Sequence, residues 1–167
     1  EWLPFDKKPW RSEVTTGRIR RMFIDVFLSY WLASASGEEV VVDHLFDTFK
    51  RWLQKQPRSA AEIIRQLRVD GDRYLEIRAM TPGTPLGALV DTMEATQTST
   101  PWPLLLHVCT RADVPSEQID AAASALESFT MRRAVCRANS KDYNKLFMSV
   151  LGACREAPAG HLGDVLR

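Results

Sequence analysis

Apolar residues recur at helical spacing along most of the chain, beginning at Ile19. Ile19, Met22, Phe23, Val26, Phe27, Tyr30 and Trp31 fall at intervals of three and four, and Ile24, Leu28 and Leu32 widen the stripe. The spacing predicts a helix buried around much of its circumference, stopping at the Ser34–Gly37 cluster. A second helix is expected from a cap near Asp43, with Leu45, Phe46, Phe49, Trp52 and Leu53 on one face and Gln56-Pro57 as its end. Ser59 with Glu62 three residues later has the pattern of a capping box. It opens a third helix whose period runs through Ile64, Leu67, Gly71, Tyr74 and Leu75. Asp70-Gly71-Asp72 reads as a polar, solvent-facing weak point in that helix.

Thr84-Pro85 and Thr100-Pro101 each set a capping hydroxyl before a proline suited to the first helical position. Behind them lie Leu86, Leu89, Val90 and Met93, then Leu104, Leu105 and Val108. Pro115-Ser116 opens a long helix that buries Ile119, Ala122, Ala123, Leu126 and Phe129. Ser140 is expected to cap another, with Tyr143, Leu146, Phe147, Val150, Leu151 and Cys154 in period. Sustained two-residue alternation is absent, and Val40-Val41-Val42 is too short to build a sheet. The pattern predicts an all-α, irregular bundle of about seven helices with no substantial sheet. Residues 1–18 read as an irregular lead-in anchored by Trp2, Phe5 and Trp10. Residues 19–157 read as the helical domain, and residues 158–167 as the start of a following segment.

Composition narrows the class without naming a function. The 167 residues are 45% hydrophobic and 26% charged, which excludes a disordered chain. No apolar run reaches the ~18–20 residues of a membrane span. Cys109, Cys136 and Cys154 form no C-x-x-C pair, which argues against a zinc ribbon or disulfide scaffold and makes a reducing cytoplasm the expectation. The opening Glu1-Trp2-Leu3-Pro4 has no initiator Met, as expected of an interior piece of a longer protein.

The net charge of +1 conceals opposed segments. Residues 1–68 carry 12 basic and 9 acidic side chains, residues 69–127 carry 3 and 9, and residues 128–167 carry 7 and 3. Basic ends around an acidic middle suit a surface with an anionic partner, although solvated helix faces give the same counts.

Motifs for catalysis are missing. The chain has no phosphate-binding glycine loop, dinucleotide turn, H-E-x-x-H helix or nucleophile elbow. His44, His107 and His161 have no second ligand at helical spacing, and His107 and Cys109 point to different faces. The most unusual stretch runs from Phe129 to Phe147. Arg133 falls on the buried face of its helix, where a guanidinium needs carboxylate or carbonyl partners. In the plainer reading Arg133 ties its helix to a neighbour. In the functional reading Arg132, Arg133, Arg137, Lys141 and Lys145 face phosphate, with Arg18, Arg20 and Arg21 as a second basic group.

The long helix ending in Arg132-Arg133 and Cys136, followed by a capped helix with Asn144-Lys145-Leu146-Phe147, resembles the GmrSD-like family. These are modification-dependent (type IV) restriction endonucleases. Trp2-Leu3-Pro4, the hydrophobic helix Phe23–Trp31 and the stretch from Val42 to Lys50 resemble the helical region between that family's two catalytic domains. The resemblance implies a longer protein. A ParB/sulfiredoxin-like domain with an Asp-Gly-Gln-Gln-Arg motif would bind and hydrolyse nucleotide, and an HNH domain would cleave DNA with a divalent metal.

Neither catalytic motif occurs here. Asp70-Gly71 continues as Asp72-Arg73, and no His-Asn-His set follows Pro158. The resemblance therefore carries over no catalytic residue, metal ligand or cofactor to this segment. It carries over a packing motif of Arg133, Cys136, Tyr143, Asn144 and Phe147. The implied partners are the flanking NTPase and HNH domains and modified duplex DNA, with no membrane. The alternative is a stand-alone helical domain that binds nucleic acid or protein.

Overall fold

A computed structural model describes residues 2–16, 19–137, 141–161 and 165 of the chain. Among them a two-stranded hairpin, β1 (Glu13–Thr16) and β2 (Ile19–Met22), precedes α1 (Phe23–Ser36). There follow α2 (Leu45–Gln54), α3 (Ala60–Arg78), α4 (Pro85–Ala95), α5 (Trp102–Thr110), α6 (Ser116–Val135) and α7 (Tyr143–Glu156). Short 3-10 turns occupy Leu3–Asp6, Val42–His44 and Ala159–His161. The fold is all-α apart from the hairpin. Among the described residues no helix is long and apolar enough to cross a membrane.

The hairpin corrects the expected start of the first helix. Ile19 to Met22 pair antiparallel with β1, Glu13 opposite Met22 and Val14 opposite Arg21. The first turn of α1 then finds partners in the lead-in, as Phe23 N–H donates to Ser12 O at 2.9 Å and Ile24 N–H to Trp10 O at 3.1 Å. Those carbonyls satisfy N–H groups that a helix start leaves open. At the other end Gly37 takes the left-handed conformation, φ 74°, where a glycine carries no Cβ penalty. Arg155 of α7 reaches over that end, its Nη1 donating to Ser34 O at 2.8 Å and Ala35 O at 2.9 Å.

Two expected caps differ from the structure. α2 begins at Leu45 after a 3-10 turn, and Asp43 makes no cap but pairs with Arg21. Thr100 does not cap α5, whose N-cap residue is Pro101. The Ser140 cap lies outside the described residues; α7 begins at Tyr143 with no side-chain cap from Asp142. The Ser59–Glu62 capping box is present as expected, and Thr84 Oγ1 accepts from Gly87 N–H at 3.1 Å.

One continuous core fills the space between the helices. Phe5, Trp10, Phe23, Phe27, Tyr74 and Trp102 form an aromatic chain with ring centroids 4.8–6.3 Å apart. The lead-in is thus part of the core, with Phe5 and Trp10 buried in it. α3 runs unbroken through Asp70-Gly71-Asp72, which corrects the solvent-facing weak point. Gly71 is buried where a Cβ would lie 3.2 Å from the rings of Phe5 and Trp10. Asp70 is buried as well, accepting from Trp31 Nε1 at 2.7 Å and Gln66 Nε2 at 2.8 Å. Phe46 also departs from expectation: it is 78% exposed rather than on the packed face of α2.

Candidate nucleic-acid interface

The packing motif is assembled where α6 ends and α7 begins. Arg133 lies over the rings of Phe129 and Tyr143, its guanidinium carbon 5.8 and 5.2 Å from their centroids. Its Nε donates to the Tyr143 hydroxyl at 3.3 Å. The sequence suggested carboxylate or carbonyl partners for this arginine. The structure gives it a phenol and two aromatic faces, which hold a guanidinium through their quadrupoles while leaving it half-buried. Phe147 is buried and meets Phe129 and Tyr143 edge to face at 5.9 and 6.1 Å. Asn144 is exposed and donates to Glu39 Oε1 at 2.7 Å, tying this corner to the segment after α1. Cys136 is the exposed C-cap residue of α6. Arg133 does tie two helices together, as the plainer reading expected.

The basic side chains divide into two settings. Arg132 is exposed in the last turn of α6, where a cation complements the negative end of the helix dipole. Arg137, Lys141 and Lys145 are exposed around the same end. The second group is already engaged. Arg21 is held by Asp43 at 2.8 Å, which raises its pKa, and Arg20 lies 3.7 Å from Glu13 across the hairpin. Arg18 lies outside the described residues. The structure therefore places Arg132, Arg133, Arg137, Lys141 and Lys145 at one corner and leaves Arg20 and Arg21 in a different environment.

Between that corner and the α4–α5 connection lies a polar cleft of about 430 Å³. Arg133, Arg137 and Tyr143 line one side, and Thr96-Gln97-Thr98-Ser99-Thr100 the other. Most of the hydroxyls are committed. Thr96 Oγ1 donates to Thr92 O at 2.7 Å and sits 3.1 Å from Thr98 Oγ1, while Ser99 lies beside the Tyr30 hydroxyl. Thr100 is the exception: its Oγ1 is buried without a partner, a state that costs about 1–3 kcal/mol. Gln97 and Arg137, at φ 52° and 49°, are the two non-glycine residues with positive φ among the described residues, and both line this cleft. Such backbone is strained by about 1–3 kcal/mol per residue and gathers at functional sites.

The sequence singled out the arginines but missed their counterpart. The run Thr96-Gln97-Thr98-Ser99-Thr100 between two apolar helices is the signal for it, beyond the cap expected at Thr100.

Two other hollows have different chemistry. An apolar groove of about 480 Å³ runs between α1, α2 and α3, lined by Leu28, Leu45, Phe46, Phe49, Ile63 and Leu67 among others. A polar hollow of about 330 Å³ holds Asp70, Gln66, Arg58, His107 and Arg155. Burial raises the Asp70 carboxyl above its ordinary value. His107 Nε2 is buried without a partner, and burial with the nearby Arg111 and Arg155 lowers that imidazole to about 4. The Cys109 thiol is pushed up to about 12 by burial, which leaves it inert as a nucleophile. Among the described residues no three His, Cys, Asp or Glu side chains gather as they would around a metal ion.

No family model, curated protein or solved structure matches the chain.

Proposed function

We propose that this chain is a non-catalytic helical domain of a GmrSD-like, nucleotide-dependent restriction endonuclease. In that setting it joins the NTPase and HNH domains and carries part of the path of modified duplex DNA. One observation carries the reading. Arg132, Arg133 and Arg137 lie at the end of α6 and Lys141 and Lys145 at the start of α7, and Arg133 and Arg137 line a cleft that also holds threonines and a serine, an arrangement suited to backbone phosphates. A further feature supports it. The motif residues that carry the resemblance, Arg133, Tyr143 and Phe147, pack as one unit.

The test uses the full-length protein. Reversing the exposed charges with Arg132→Glu and Lys145→Glu is expected to lower cleavage of modified DNA while leaving DNA-independent nucleotide hydrolysis intact. Unchanged cleavage would remove the DNA-path assignment. A reading frame lacking an Asp-Gly-Gln-Gln-Arg motif before this segment and an HNH motif after it would remove the family assignment.

A further inference from the structure

The cleft beside α6 is more specific than a basic surface, and from its chemistry we infer a discrete phosphoryl-binding pocket. The inference deepens the proposed DNA contact and rests on the same corner of the molecule. Its donors come from two separate parts of the chain: the Thr96–Thr100 connection and the Arg133–Arg137 end of α6. A phosphoryl group accepts hydrogen bonds on every oxygen and makes its strongest contacts with guanidinium. Arg133 is already oriented, because Tyr143 holds Nε and two rings hold the guanidinium plane. Arg137 is exposed on the same lining, four residues further along.

The remaining donor is the Thr100 hydroxyl. Thr96 Oγ1 spends its hydrogen on Thr92 O, and Thr130 Oγ1 spends its own on Leu126 O. Thr100 Oγ1 has no such partner but is closed to solvent, so rotation about χ1 of this partly exposed, cleft-lining residue would bring it to a ligand oxygen. The N-terminus of α5 does not explain the arrangement. Pro101 and Pro103 have no N–H, and the Trp102 N–H already bonds Ser99 O at 3.2 Å. Side chains must therefore supply the recognition. The left-handed backbone of Gln97 and Arg137 fits this picture, because ordinary turns at these positions would be met by Gly or Asn.

Two substitutions separate binding from folding. Arg137→Gly removes a guanidinium and relieves a left-handed residue. Thr100→Val keeps the shape and removes a hydroxyl that has no partner. Both are expected to leave thermal stability unchanged or higher, whereas residues serving only the fold would lose it. Inorganic phosphate is titrated into the whole chain and followed by amide and arginine Nε chemical shifts. The expected result is saturable shifts confined to Thr96–Thr100, Arg133 and Arg137. Each variant weakens the affinity by about fivefold or more, the scale of one charge-assisted hydrogen bond.

Parallel titrations with thymidylyl-thymidine and with a 5′-mononucleotide distinguish the source of the group. Equal binding of the diester identifies a nucleic-acid backbone, and binding of the monoester alone identifies a free nucleotide. Absent or non-saturable shifts with all three probes, or affinities that neither variant changes, overturn the pocket. Loss of the pocket with retained duplex binding through Arg132 and Lys145 leaves the broader DNA reading standing. A phosphate-binding pocket on a chain that ignores duplex DNA has the reverse meaning.

Discussion

The Arg133 Nε and the Tyr143 hydroxyl lie 3.3 Å apart across the junction of α6 and α7, with the guanidinium against the phenol ring. They stand ten positions apart in sequence, and the pair ties the end of α6 to the start of α7. Removing the hydroxyl alone with Tyr143→Phe keeps the ring contact and is expected to destabilise by about 1 kcal/mol. Arg133→Ala also loses two aromatic faces and is expected to cost about 2–3 kcal/mol. Denaturant unfolding of both singles and the double checks this. The double should fall short of the summed singles, because the residues share one interaction.

Two glycines are expected to respond oppositely to alanine. At Gly71 a Cβ would stand 3.2 Å from buried rings of Phe5 and Trp10, so Gly71→Ala overpacks the core. A loss of about 1–2 kcal/mol remains after the helix-propensity gain is set against the strain. At Gly152, within α7, nothing lies within 4 Å of the added atom. Gly152→Ala is expected to stabilise by about 0.5–1 kcal/mol, which thermal unfolding would show as a rise of a few degrees.

The pH dependence follows from His107. Its native pKa is lowered from 6.5 to about 4, so between those values the unfolded chain binds the proton and the native state does not. Stability is therefore full above pH 6.5 and falls as the pH drops towards 4. The ring is part-exposed, which screens the effect to about 1–2 kcal/mol. Asp70 has the opposite sign: its raised carboxyl lets the native state take up its proton first, partly offsetting the loss at the acid end. His107→Gln is expected to flatten the decline in Tm between pH 6.5 and 5, and an unchanged decline would contradict the assignment.

Helix faces were readable because their information is local. Ser59 and Glu62 sit three residues apart, and the stripe from Leu86 to Met93 repeats within one helix. What the sequence concealed depends on distant partners. Ile19 and Met22 suit a helix and a strand equally, and the pairing with Glu13–Thr16, together with the carbonyls of Trp10 and Ser12, decides between them. Asp70-Gly71-Asp72 looks like a polar break until Trp31, 39 residues away, donates to Asp70 and the Phe5 and Trp10 rings close on Gly71. The candidate site divides in the same way. The arginines of α6 stood out as cations on an apolar period, whereas the unmet Thr100 hydroxyl exists only in the folded chain.

The central claim, that the α6–α7 corner contacts nucleic-acid phosphate, is tested most directly by duplex DNA binding to this chain across a salt series. With about four cations engaged, the logarithm of the affinity should fall against the logarithm of salt concentration with a slope of about −3.6. Arg132→Ala with Lys145→Ala should make that slope shallower by about 2. Binding that ignores salt, or an unchanged slope in the double variant, would contradict the account.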